Sequence, residues 1–156
     1  MKFVQLRVLA LGLSLIGSLA FAGNNARLVD HPGQIQTDSD LVVAVQSHKN
    51  QFYVEAGNLV VTRILPDDTS GLPHQKWETK LSDGSTVTIV YNSDMGVRVP
   101  VQIGSSFGVG GQFIWTAQGG LVHWVHDDPK KIRPDGYVFV DGVVYGDSDN
   151  EDSVRH

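Results

Sequence analysis

The run Gly119–Pro129, GGLVHWVHDDP, sets His123 and His126 three apart around Trp124, with Asp127 and Asp128 directly behind them. Imidazole and carboxylate are the side chains that hold divalent metals and move protons, so the run is a candidate metal or acid–base site. On a regular strand, however, side chains alternate, and His123 and His126 would face opposite ways. Both reach one ion only if the strand ends or bulges near Val125. Asp127-Asp128-Pro129 supplies such an end, because the residue before proline is restricted and aspartate favours turns. A third ligand is available in His74, which opens a strand after a loop holding Asp67 and Asp68. If that loop mouth meets the end of the 121–126 strand, His74, His123, His126 and Asp127 converge as a mixed imidazole–carboxylate set. Such a set suits zinc, or manganese with water in open positions. The competing reading is architectural: His74 caps a turn, Trp124 packs in the fold, and Asp127 and Asp128 hydrogen-bond loop amides.

Two further groups belong to the same neighbourhood. Lys130-Lys131-Ile132-Arg133 is a small basic cluster in the loop after the histidines, either a solvated turn or a clamp for phosphate or carboxylate through Lys130 and Arg133. Trp77, Trp115 and Trp124 raise the prospect of a stacking platform for sugars or bases. Trp77 and Trp115 share the phase of their apolar neighbours, which predicts core packing for both; Trp124, on the β-rich Leu121–Val125 run, is expected to pack in the barrel with His123–Asp128 as the rim, the stacking platform being the alternative. His74, Trp124, Lys130 and Arg133 are therefore the ligand-binding candidates. No Ser-His-Asp pattern or phosphate loop occurs, and Gly108-Val109-Gly110-Gly111 lies inside an alternating strand, so it is no nucleotide motif.

The elements that position these residues are mostly strands. Ser39–Gln46 predicts a short helix capped by Ser39, with Leu41, Ala44 and Val45 on one face. From Gln51 the period becomes two, in a long strand to Leu65 that Gly57 must bend or bulge. Leu65–Pro73 is turn chemistry throughout. Gln75–Leu81 and Thr86–Tyr91 flank Ser82-Asp83-Gly84-Ser85 as a hairpin. Asn92–Pro100 links across to Phe107–Thr116, and Gln118-Gly119-Gly120 turns into Leu121–His126. Tyr137–Val140 and Val143–Tyr145 flank Asp141-Gly142, a two-residue hairpin of the I′ kind. This order predicts an all-β fold: a small five-stranded OB-like barrel with a short N-terminal helix and a C-terminal hairpin. The same alternation permits a small sandwich; 17 glycines, many at strand bends, favour the barrel.

The ends bound the compartment. Lys2 and Arg7 precede an apolar run, Val8–Leu19, too short to span a bilayer comfortably, and Ala20-Phe21-Ala22 is a small-x-small cleavage pattern. Residues 1–22 are read as a signal peptide, 23–50 as a lead-in with the short helix, 51–146 as the β-barrel domain, and 147–156 as a disordered acidic tail. Without Lys2 and Arg7, 10 basic side chains face 17 acidic ones, a formal charge of −7 with histidines neutral. That balance argues against stable sequence-independent nucleic-acid binding, which needs clustered Lys and Arg. The chain has no cysteine, so neither disulfides nor a lipid-modified cysteine is available. No second long apolar run follows, so no membrane span is expected in the mature chain.

From about Val54 to Tyr145 the chain resembles a family of short exported bacterial proteins of unknown function. The motifs carrying the resemblance are Leu65-Pro66-Asp67-Asp68, His74-Gln75-Lys76-Trp77, the Gly-Gly turn into His123-Trp124-Val125-His126-Asp127-Asp128-Pro129, and Gly136-Tyr137. Two departures stand out: Tyr91-Asn92-Ser93-Asp94 where the family has His-Asn-x-Asp, and Gly104-Ser105 where a Gly-Asp pair is common. The resemblance implies export and a shared fold, and brings no assigned activity. Two functional expectations follow. One is an exported small β-barrel, periplasmic or secreted, that binds a small ligand or protein partner. The other is a metal-assisted hydrolase acting on phosphodiesters such as nucleic acid, with His74, His123 and His126 as zinc or manganese ligands and an aspartate as general base.

Overall fold

Among the described residues, alternating apolar residues produce seven strands, and one of them organises the rest. The computed structural model describes residues 33–68 and 71–146, so the expected signal peptide and acidic tail lie outside the described residues. The strands are β1 (Gln51–Asp68), β2 (His74–Lys80), β3 (Thr86–Asn92), β4 (Ser106–Thr116), β5 (Gly119–His123), β6 (Tyr137–Val140) and β7 (Val143–Tyr145). β1 is long enough to serve two partners. Its first half pairs antiparallel with β4, from Gln51 opposite Phe113 to Val60 opposite Ser106. Its second half pairs antiparallel with β2, from Val61 opposite Thr79 to Asp68 opposite His74. The change of partner follows an irregularity between Ala56 and Leu59, where Asn58 takes φ 54° and Gly57 lets the lead-in approach. A Cβ on Gly57 would stand 1.7 Å from the Ile35 carbonyl oxygen, so only glycine fits there.

Sheet order is β1-β2-β3-β5-β4-β6-β7, and the extra β1–β4 pairing closes a ring through the first five strands. β3 and β5 run parallel, with Val87, Thr88 and Ile89 opposite Gly120, Leu121 and Val122. β4 is the hub. Along one edge it receives β5, as far as Gln112 opposite His123, and then β6, from Gly110 opposite Tyr137. The β6–β7 hairpin turns at Asp141 (φ 49°) and Gly142 (φ 84°), both positive as a I′ turn requires.

The core lies inside the ring. Trp77, Val87, Ile89, Tyr91, Val109, Phe113 and Val122 are fully buried, and the Trp77 ring meets Phe107 edge-on at 5.8 Å. The helix α1 (Ser39–Ser47) adds Leu41, Ala44 and Val45 to this core, the face its spacing predicts. Its N-cap position is Asp38 rather than Ser39, and the Asp38 carboxylate instead accepts from the Ser82 backbone N–H at 2.6 Å and the Ser82 hydroxyl at 2.8 Å. The helix start is thereby tied to the β2–β3 turn. Gln75 makes a second tie: its amide donates to the Val99 carbonyl at 2.7 Å and accepts from the Val99 N–H at 3.0 Å. This buried side chain pins the link between β3 and β4 with both hydrogen-bonding needs met.

Two sequence expectations change. The strand expected over 121–126 stops at His123, because Trp124 adopts φ 60°, a left-handed conformation that ends strand pairing. Trp124 is consequently half-buried and outside the core cluster, whose member here is the fully buried Val125. Trp115 is also only partly buried: it packs against the core with one face and stacks on His48 at 4.1 Å with the other.

Candidate functional site

The ring brings together residues that the chain keeps far apart. β2 starts with His74, β5 ends with His123, and β3 lies between them, so both histidines come to one rim on the outward phase of their strands. Their Nε2 atoms are 3.4 Å apart and their rings 5.4 Å apart. Asp68, the last residue of β1, accepts from His74 Nδ1–H at 3.0 Å and from its backbone N–H at 3.1 Å. Lys76 Nζ holds the other Asp68 oxygen at 3.3 Å. The His74 hydrogen bond and, next, the lysine keep the Asp68 carboxyl below its ordinary range against the cost of burial. A carboxylate on Nδ1 fixes the His74 proton there and leaves Nε2 as the free lone pair facing His123.

His126 and Asp127 do not join this contact. With β5 ended, His126 Nδ1–H donates to the Asp127 carbonyl at 2.6 Å, and the buried ring lines a separate cavity with Met95, Pro129 and Lys131. The Asp127 carboxylate lies 3.8 Å from Lys131 Nζ. The four-ligand set expected from the spacing is therefore divided into a His74–His123 pair and a structural pair. Among the described residues no group of three or more His, Cys, Asp or Glu side chains converges on one point.

The rest of the site is a loop folded around a buried carboxylate. Asp128 accepts backbone N–H bonds from Lys130 at 3.1 Å and from Ile132 and Arg133, each at 2.8 Å. Burial works against its charge, but these bonds prevail and hold its carboxyl below the usual range. Lys131, at φ 50°, turns its ammonium onto Asp135 at 2.9 Å, while Lys130 is exposed. Arg133 is aimed differently. Its guanidinium lies 4.7 Å over the Trp124 ring and 5.8 Å from that of Phe52, and Nη1 donates to Gln112 Oε1 at 2.8 Å. The Trp124 ring also borders both neighbours, 6.2 Å from His123 and 5.0 Å from His126. Sequence reasoning missed Gln112 and Phe52, which carry no local signal, and left Asp68 as one of several loop aspartates.

A family model described as a protein of unknown function, DUF3465, matches residues 27–146. The chain belongs to the DUF3465 family. No curated protein and no solved structure matches it. In this DUF3465 protein Tyr91 is fully buried and its hydroxyl donates to the Val97 carbonyl at 3.1 Å, so position 91 serves the core here.

The geometry has a pH consequence. Burial, then the neighbouring His74, His126 and Arg133, push His123 below its ordinary value of 6.5, with Asp68 opposing weakly. Between the folded value and 6.5 the unfolded chain takes up a proton that the folded protein does not. Stability contributed by neutral His123 is thus complete above 6.5 and is lost as pH falls through that window. Thermal melts from pH 7 to 5 should show a declining Tm, and His123→Asn should flatten the slope. Asp68 and Asp128, held below 3.8, act in a separate window at lower pH. A slope unchanged by the substitution would assign it to other groups.

Proposed function

We propose that this protein is an exported binding protein built on an OB-type barrel, and that its ligand carries an anionic group docking beside Trp124. The strand order β1-β2-β3-β5-β4-β1, with a long bent β1 shared by two partners and a parallel β3–β5 pair, supports the barrel reading. Residues 1–22, with their positive start, apolar run and small-residue cleavage pattern, support export. Among the described residues no helix is long and apolar enough to cross a membrane.

One observation carries the ligand assignment. Arg133 is positioned by Gln112, Trp124 and Phe52, yet makes no ion pair among the described residues. A guanidinium fixed by neutral partners keeps its charge and remaining N–H groups for a carboxylate or phosphate. His123 stands next to it, and Lys130 lies exposed in the same loop. The test is a thermal-shift titration with inorganic phosphate, citrate and short phosphodiesters. At least one should raise the Tm of the wild type, with affinity falling about 10- to 100-fold in Arg133→Ala, the worth of a charge-assisted hydrogen bond. Silence across the anions would remove the assignment.

The second reading, a metal-assisted hydrolase of phosphodiesters, draws on the His74–His123 contact, with Arg133 or Lys130 as anion clamp. It has two imidazoles where a catalytic zinc usually takes three protein ligands. Turnover of pooled phosphodiesters with added divalent metals, abolished by His123→Ala, would favour it over binding alone.

A further inference from the structure

We propose that His74 and His123 form a two-imidazole site for a zinc-class divalent ion, with Asp68 as its outer-shell carboxylate. The proposal rests on the binding reading above, in that the ion would occupy the same rim, and it names one specific ligand for it.

The spacing carries the argument. The two Nε2 atoms face each other at 3.4 Å. That is long for a hydrogen bond between nitrogens, whose heavy atoms prefer about 2.9–3.0 Å. It matches the edge of a tetrahedron around zinc: with Zn–N near 2.0–2.1 Å, two ligand nitrogens stand about 3.3–3.4 Å apart. The separation is therefore one that two nitrogens ligating a single tetrahedral ion can hold.

The surroundings agree with that role. A histidine ligand commonly donates its other N–H to a carboxylate, which sets the tautomer and makes the metal-facing nitrogen more basic. His74 does this with Asp68 Oδ1 at 3.0 Å, and Lys76 steadies the second carboxylate oxygen at 3.3 Å. The His74 side chain retains 20% of its exposure, enough for an ion to enter from solvent. Two protein ligands leave two positions of a tetrahedron for water or for an incoming anionic group. His126 is excluded, because its Nδ1 is engaged by the Asp127 carbonyl and its ring lines another cavity.

The test uses untagged protein purified after expression of the full chain, titrated with zinc chloride by calorimetry at pH 7 and, separately, with inorganic phosphate. Wild type should bind one zinc. His123→Gln and His74→Gln should lose that binding, and Asp68→Asn should weaken it about 10- to 100-fold, the usual effect of removing an outer-shell partner. His126→Ala should bind zinc as wild type does. Circular dichroism of each variant separates lost ligation from lost folding, and the Asp68→Asn arm keeps both imidazoles in place. Absence of zinc binding in wild type, or binding that survives in the His74→Gln/His123→Gln double variant, would overturn the site. A phosphate response without a zinc response would overturn the metal site while leaving the binding reading standing.

Discussion

Trp77→Ala should lower the unfolding free energy by about 3–5 kcal/mol, the range seen for truncating a buried large aromatic. Trp77 sits on the inward phase of β2, is 0% exposed, and meets the edge of Phe107 inside the ring. Val87, Ile89 and Val122 around it are themselves fully buried, so truncation leaves a cavity inside a packed core. Trp77→Phe isolates the cause. The indole N–H is buried without an acceptor among the described residues, so replacing it with an apolar ring removes an unsatisfied donor along with some volume. That variant should lose about 1 kcal/mol. Trp124→Ala, at a half-buried ring outside the core, should cost less than half of the Trp77→Ala effect. Urea denaturation of the three variants measures the order. Equal losses at positions 77 and 124 would contradict this assignment of the core.

Gly136→Ala should cost about 3 kcal/mol or more, at the upper end of overpacking effects, and should abolish ligand and zinc responses together. A Cβ at this position would lie 2.0 Å from the Trp124 carbonyl oxygen and 2.8 Å from both the His126 nitrogen and the Val125 Cα. All three are backbone atoms, so no rotamer change can make room. The Gly136 N–H also donates to the His126 carbonyl at 2.9 Å, which holds the two sides of the loop together. Inserting a methyl group there must separate the 124–126 segment from the chain entering β6. The displacement would carry Trp124 away from Arg133. Urea midpoints together with the phosphate and zinc titrations check both halves. A variant of wild-type stability would show that this close approach is not maintained in solution.

The parts of the architecture set by local chemistry were legible in the sequence. Period-two alternation located the strands, Asp141-Gly142 marked its hairpin, and Leu41, Ala44 and Val45 named the buried helix face. Gly57 marks where a long strand must change course, and the β1 register shifts there. The rest depends on contacts that no local pattern encodes. Ring closure requires β1 to pair with both β2 and β4, and the alternation of β1 is the same whether it has one partner or two. The His74–His123 contact depends on parallel pairing of β3 with β5, between segments joined through the whole of β4. The β-rich run Leu121–Val125 predicts a packed indole at Trp124, but its left-handed backbone is one that a bulky residue rarely adopts. That single dihedral ends β5 at His123 and carries His126 away from it, so the shorter strand and the division of the histidines have one origin.

The arrangement of β5 and β6 along β4 has a consequence for how the chemistry of this surface can change. The chain leaves β4 after the Gln112–His123 rung and returns at the neighbouring Gly110–Tyr137 rung, with the His126–Gly136 hydrogen bond closing the neck between them. The lobe from Asp127 to Asp135 therefore hangs beyond this neck and is held further by the Asp127 N–H on the Gly146 carbonyl at 2.6 Å, the Tyr53 hydroxyl on the Asp135 carbonyl at 3.2 Å and Arg133 on Gln112 at 2.8 Å. Lengthening a closed loop is inexpensive, about 0.6 kcal/mol for each doubling. Residues 129–132, between those ties, are the stretch where length and composition should be exchangeable with the strand register kept, which makes it the place to retarget this scaffold to new ligands.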